Sequence, residues 1–326
     1  MDDVLKVDNL TTQFFTRAGT VRAVTDVSFH VKRGETVGIV GESGCGKSVT
    51  AMSLMRIIQS PPGKIVAGSA VLQTDKEPFD LIQADEDELR QVRGKDIAMI
   101  FQDPMTSLNP VLTIGYQLTE PLKLHMHMSE HDAKRRATEI LSAVGIPGAA
   151  ARLDDYPHQF SGGMRQRVMV AMALVCNPKL VIADEPTTAL DVTIQAQLLE
   201  LLSELTREMG TAVILITHDL GVVAQTCQRV IVMYGGRVIE MADVDELFDN
   251  PQHPYTVGLL RSVPKLGRQM RERLLPIEGS PPDLVSPPQG CRFRPRCPHA
   301  FEKCIEEPPL ISAGTDHVSR CWLVGA

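Results

Sequence analysis

The sequence predicts an α/β protein, with a sheet covered on both faces and a small irregular extension behind it. Three observations lead there. Leu180-Val181-Ile182-Ala183 and Ala212-Val213-Ile214-Leu215-Ile216 are short, continuous apolar runs, the pattern of strands buried on both faces, and helical spacing fills residues 193–209 between them. Thr36–Val40 is a third such run and leads straight into a glycine-rich loop. After about residue 250 the periodicity fades, and Pro251, Pro254, Pro276, Pro281, Pro282, Pro287 and Pro288 punctuate the chain.

The remaining elements follow in order. Residues 5–15 and 21–31 read as strands, with Gly19 and Lys32-Arg33-Gly34 as turns. Helical spacing is expected over 49–58 and through most of 85–160. Ser129 with Asp132 resembles a capping box ahead of Ala133, Ala137, Ile140, Leu141 and Val144, and Gly145 is the expected stop. Residues 168–174 are apolar all round, as in a helix buried within protein. Residues 230–239 read as a hairpin turned at Gly235-Gly236. No internal repeat is visible. The expected organisation is a main domain over 1–250 and an extension over 251–326.

Composition narrows the function. Hydrophobic residues make up 43% and charged residues 22% of the 326, ordinary for a globular protein. Lys and Arg total 33 against 40 Asp and Glu, a formal charge of −7, so the chain as a whole has no attraction for nucleic acid. The first residues lack the basic-then-apolar layout of a secretory signal, and no apolar run reaches the ~18–20 residues of a membrane span. The chain is expected in the cytoplasm, meeting a membrane only through a partner.

Gly41-Glu42-Ser43-Gly44-Cys45-Gly46-Lys47-Ser48 fits G-x-x-x-x-G-K-[ST] between a strand and a helix. Glycines let the backbone curl so that its N–H groups and the helix N-terminus face phosphates. Lys47 supplies positive charge to the β- and γ-phosphates, and the Ser48 hydroxyl suits Mg²⁺. At the end of the apolar run 180–183 stand Asp184, suited to Mg²⁺, and Glu185, suited to polarising an attacking water. Alone, such an Asp-Glu pair is usually structural. Its order after a phosphate loop makes the functional reading the better one.

Between these segments lies Phe160-Ser161-Gly162-Gly163-Met164-Arg165-Gln166-Arg167. Together the three resemble the nucleotide-binding subunit of an ABC transporter, which implies a P-loop NTPase core of ABC type with an antiparallel β subdomain and a helical subdomain over about 85–175. Ser161-Gly162-Gly163 is similar to the family signature that meets ATP held by a partner subunit. Met164 stands where the family usually has Gln, a change that leaves the serine and glycine backbone contacts intact.

The resemblance, covering residues 4–245, carries further roles. ATP contacts fall on Phe14 (or Phe15) against adenine and on Gly41, Ser43, Gly44, Cys45, Gly46, Lys47, Ser48 and Val49. Gln102, in Ile100-Phe101-Gln102-Asp103-Pro104, matches the glutamine loop that touches Mg²⁺ and senses the membrane domains. Ala189-Leu190-Asp191 matches the loop crossing the dimer interface, and His218 matches the switch histidine beside the γ-phosphate. Catalysis is thus expected from Glu185, His218 and Gln102, and Mg²⁺ binding from Ser48, Gln102 and Asp184. A lone His at a strand end is more often structural. The order of all these elements decides against that here.

The extension narrows the subfamily. Asn250-Pro251-Gln252-His253-Pro254-Tyr255-Thr256 resembles the opening of the C-terminal region of oligopeptide and dipeptide importer ATPases, as does the phrase Phe101-Gln102-Asp103-Pro104-Met105-Thr106-Ser107-Leu108-Asn109-Pro110. Taken chemically, His-Pro-Tyr is a proline turn. Of seven cysteines, Cys291, Cys297, Cys304 and Cys321 crowd the last 36 residues in the spacing C-x₅-C-x₆-C-x₁₆-C. This is wider than the usual zinc pairs, while four thiolates suffice for a [4Fe–4S] cluster. Similar tails in dipeptide-type ATPase subunits are associated with such a cluster; zinc is the alternative.

The resemblance therefore implies an ATPase energising peptide import. Its partners would be a second, non-identical ATPase subunit, two transmembrane permease subunits and an extracytoplasmic peptide-binding protein, with this chain peripheral on the cytoplasmic face of the cell membrane. Relatives built alike carry nickel or glycosides. A soluble ABC ATPase of DNA repair would need a long coiled coil, and no heptad run occurs; one acting in translation usually carries two cassettes in one chain.

Overall fold

The computed structural model describes residues 3–103, 107–187, 191–262 and 277–324. The chain forms two compact units. One comprises residues up to Leu5, Val31–Glu35 and Val71–Ile214; the other comprises Lys6–His30, Thr36–Ala70 and the chain from Leu215 onward.

In the first unit the strand Leu180–Asp184 is buried along its whole length, as its continuous apolar run predicts. It pairs in parallel with Ile97–Ile100, in the register Ile97 with Leu180 through Ile100 with Ala183. This second strand lies inside the stretch expected to be helical. Four apolar residues without alternation carry no period that separates a buried strand from a buried helix. Pro78–Asp80 and its partner Gly63–Gln73 were likewise not foreseen as strands.

Helices Glu86–Val92, Ile114–Met126, Glu130–Ala143, Ala149–Arg152 and Gly162–Leu174 lie in the window 85–175. In Glu130–Ala143 the buried residues are Ala133, Ala137, Ile140 and Leu141, one stripe at helical spacing. The Ser129 hydroxyl oxygen accepts the Asp132 N–H at 3.2 Å, while the Asp132 carboxylate bonds back to the Ser129 hydroxyl at 2.7 Å. Gly162–Leu174 buries Val168, Val170, Ala171 and Leu174 completely, matching its all-round apolar sequence. Fully burying each aliphatic side chain contributes about 1.5–3 kcal/mol relative to leaving it in water.

In the second unit Thr36–Val40 runs parallel to Arg229–Tyr234, pairing Val37 with Arg229 through Val40 with Val232. Arg229–Tyr234 turns back antiparallel into Arg237–Asp243. The turn is the expected Gly235-Gly236, with φ of 54° and 81°; two consecutive left-handed residues are what a tight hairpin of this hand needs. The extension then continues the same sheet. His317–Ser319 pairs antiparallel with Arg237–Asp243, and Ile311–Gly314 pairs with His317–Ser319 on the outside. An extension expected to be irregular is thus partly a sheet edge. Two strands of three and four residues separated by a turn were too short to register as alternation. Gly19–Lys32, Asp3–Thr16 and Gly63–Gln73 lie side by side in that order.

Candidate active site

In the second unit the loop of residues 41–48 follows Thr36–Val40 and ends on Gly46, the N-cap of helix Lys47–Leu54. Two glycines are demanded by the space around them. At Gly41, φ is 150° and a Cβ would sit 2.2 Å from the Met233 carbonyl oxygen; at Gly46, φ is 107° and a Cβ would sit 2.5 Å from the Ala23 carbonyl oxygen. Lys47 is buried, and its ammonium folds back to donate to the carbonyl oxygens of Gly41 at 2.8 Å and Glu42 at 3.2 Å. A cation surrounded by loop backbone, with no carboxylate on it among the described residues, suits an incoming phosphate. Burial raises the Cys45 thiol above its ordinary range, so this loop cysteine stays neutral. Ser43 and Gly44 are exposed, and Ser48 and Val49 half-buried.

The same unit carries His218, exposed just beyond the strand Ala212–Ile216. Its neighbour Asp219 caps helix Leu220–Thr226, accepting the N–H groups of Gly221 and Val222. Phe14 is half-buried, and Phe15 is 52% exposed.

In the first unit, strand register does the positioning. Ile100 pairs with Ala183, and two residues beyond that pair, just past the strand ends, stand Gln102 and Glu185. The Gln102 Nε2 donates to the Glu185 carboxylate at 3.1 Å. Asp184 is 7% exposed at the strand end, and Glu185 leaves it with a φ of 46°, left-handed for a residue with a Cβ. Ser161 caps helix Gly162–Leu174, its Oγ accepting the Met164 N–H at 3.4 Å, with Ser161 and Gly162 exposed. Asp191 is exposed at the N-cap of helix Val192–Met209. Ala189 and Leu190 of the same motif, and Pro104, Met105 and Thr106 after the glutamine, lie outside the described residues.

The late cysteines are all free thiols and line one cavity together with His253 and His299. Among the described residues no three His, Cys, Asp or Glu side chains are placed to share a metal ion. Burial pushes the Cys291 thiol up to about 11 and raises Cys297 and Cys321 as well.

Sequence reasoning passed over three residues that bind the extension to the phosphate loop or to the Gly235-Gly236 hairpin. Tyr255 is fully buried, and its Oη accepts the Glu42 N–H at 2.8 Å. Arg296 grips the Glu42 carboxylate with both terminal nitrogens, at 2.7 and 3.0 Å. Arg292 donates to the Gly235 carbonyl of the hairpin. The His-Pro-Tyr segment is more than a turn: the His253 Nδ1 accepts the Tyr255 N–H, capping helix Pro254–Arg261 with proline in its first turn.

Comparisons with known proteins agree with this geometry. The ABC transporter family profile matches residues 24–188, and the profile of the oligopeptide/dipeptide transporter C-terminal region matches residues 239–304. The oligopeptide transport ATP-binding protein AppD of Bacillus subtilis is 52% identical over 324 residues, covering 99% of this chain and 97% of its own length. The dipeptide transport ATP-binding protein DppD of the same organism is 53% identical over 324 residues, covering 99% and 95%. Among solved structures, a dimeric ATP-binding cassette bound to ADP and phosphate superposes with a TM-score of 0.64 at 30% identity, covering 74% of this chain and 98% of that one. The cassette cbiO1 from Clostridium perfringens, part of the transporter complex cbiONQ, gives 0.62 at 31%, covering 79% and 96%. The chain belongs to the ABC transporter family of ATP-binding subunits, in the branch that carries the oligopeptide/dipeptide transporter C-terminal region.

Proposed function

We propose that this chain hydrolyses ATP to drive the import of di- or oligopeptides through a membrane transporter. The observation that carries the reading is the Gln102–Glu185 hydrogen bond, set by parallel register at the end of a buried strand. A carboxylate held there by a neutral amide, next to the buried Asp184, is equipped to polarise water. Similarity to oligopeptide and dipeptide transport ATP-binding proteins over nearly the whole chain, C-terminal region included, favours peptide over nickel or a glycoside.

The loop of residues 41–48, with Val49 behind it, receives the phosphates on its N–H groups and on Lys47, and Phe14 stacks on adenine. Ser48, Gln102 and Asp184 would hold Mg²⁺, which supplies charge neutralisation on the phosphates. Glu185 orients and deprotonates the attacking water, and His218 donates to the γ-phosphate. Ser161, Gly162 and Gly163 present a capped helix start to ATP held by a second, non-identical ATPase subunit, with Asp191 at the crossing between the two. Two transmembrane permease subunits and an extracytoplasmic peptide-binding protein complete the transporter. Among the described residues no helix is long and apolar enough to cross a membrane, which suits a peripheral place on the cytoplasmic face.

Cys291, Cys297, Cys304 and Cys321 are the ligands of a [4Fe–4S] cluster in this reading, with zinc as the alternative donor-compatible ion. The support is that four free thiols line one cavity. Such a centre would tie loops of the extension together.

The test is transport and ATP turnover by the assembled transporter in vesicles, with di- and oligopeptides offered against nickel and glycosides. Peptide-dependent hydrolysis with peptide uptake is expected; hydrolysis coupled only to another solute would overturn the substrate class. Iron, sulfide and zinc counts on chain purified without oxygen decide the cysteine site, with about four irons and four sulfides expected.

A further inference from the structure

Glu42 occupies the first variable position of the phosphate loop, and every one of its polar groups is engaged. Its N–H donates to the Tyr255 Oη, its carbonyl oxygen accepts from the Lys47 ammonium and the Cys45 N–H, and its carboxylate takes two bonds from Arg296. Two of these partners come from beyond residue 250.

Arg296 is itself held firmly. Its side chain is 5% exposed, and it also donates to the Ile277 and Glu278 carbonyl oxygens and to the Tyr234 hydroxyl. Beneath it, Tyr234, Tyr255 and Phe293 form a ring cluster with centroids 4.6 to 5.5 Å apart. Phe293 and Arg296 belong to the segment between Cys291 and Cys297, so the order of that segment and the position of Glu42 are mechanically one thing.

The charge matters as much as the position. Glu42 puts an anionic side chain on a loop that has to accept a triphosphate. A carboxylate paired bidentately with a buried guanidinium presents little net field; released, it would repel the nucleotide and compete for Lys47.

We infer that Arg296 is a positioning residue for nucleotide binding: by neutralising and fixing Glu42, the C-terminal extension keeps the phosphate loop receptive to ATP. This rests on the ATP reading above. The extension then acts on the ATPase without touching nucleotide, and anything that loosens the segment between Cys291 and Cys297 lowers ATP affinity.

The experiment measures ATP hydrolysis by the assembled transporter, with wild type, Arg296→Ala and the double variant Arg296→Ala with Glu42→Gln. Arg296→Ala is expected to raise the KM for ATP about tenfold while kcat stays within about twofold, the scale for freeing one charge of a tight pair. Removing the freed carboxylate in the double variant should bring KM back to within about threefold of wild type, a recovery that loss of packing alone would not give. An unchanged KM in Arg296→Ala, or a double variant no better than the single one, overturns the inference. If Arg296→Ala does not fold, Arg296→Gln, which keeps a donor for the Ile277 and Glu278 carbonyls, carries the same comparison. Absence of ATP turnover in wild type would instead count against the functional reading.

Discussion

His317 and Glu240 form a buried pair: the imidazole Nε2 lies 2.8 Å from the carboxylate, and neither side chain exposes more than 1% of its surface. The same carboxylate accepts the backbone N–H groups of Gln252 at 2.6 Å and His253 at 3.0 Å. One residue of the hairpin thus fastens both the start of helix Pro254–Arg261 and the strand His317–Ser319. Glu240→Ala leaves three donors without an acceptor and should cost about 3–5 kcal/mol. Thermal unfolding and limited proteolysis of the extension are the measurements; Glu240→Gln should lose less, and a Tm within about 1 °C of wild type for the alanine variant would refute the fastening.

Glu185→Gln keeps the shape and an acceptor for Gln102 but removes the base. In the assembled transporter kcat should fall at least about a hundredfold while ATP binding persists. Near-normal turnover would exclude Glu185 as the group that activates water.

Lys47→Ala acts earlier. It removes the cation now folded onto the Gly41 and Glu42 carbonyls, and it should weaken ATP binding about tenfold or more, read by equilibrium fluorescence with a labelled nucleotide on the full chain. Unchanged affinity would remove the lysine from the phosphate site.

His253 gives a pH signature. Complete burial lowers its pKa from 6.5 to about 3, so the folded ring stays neutral and accepts from the Tyr255 N–H. The sign follows from proton counts. Below pH 6.5 the unfolded ring binds a proton that the folded ring refuses until about pH 3, so its contribution is complete above 6.5 and is lost on acidification. The slope is at most about 1.4 kcal/mol per pH unit. In denaturant titrations across that window, the stability gap between wild type and His253→Asn, a non-titrating cap, should shrink as pH falls; a constant gap refutes the neutral buried ring.

The sequence exposed what depends on local pattern. The glycine loop, the Asp184–Glu185 strand end and the Gly235-Gly236 hairpin each combine a backbone demand with a periodic neighbour, and each lies where that pattern put it. Ile97–Ile100 was hidden because four apolar residues have no readable period, although it brings Gln102 to Glu185. The clasp on Glu42 was hidden for a different reason. Tyr255 and Arg296 are 213 and 254 residues away from it, and a single ion pair or hydroxyl contact at that separation leaves no mark on composition or spacing. The four late cysteines crowd the last 36 residues of the sequence and line one cavity in the fold.

The left-handed backbone at Glu185 sets hardiness against turnover at one position. A residue with a Cβ held at φ 46° carries roughly 1 kcal/mol of strain that glycine would relieve. A chain optimised only to survive heat would surrender the carboxylate there. Screens for thermostable forms of this protein will therefore favour Glu185→Gly, and on the proposal that this carboxylate activates water the toughest clones they return will be idle ones.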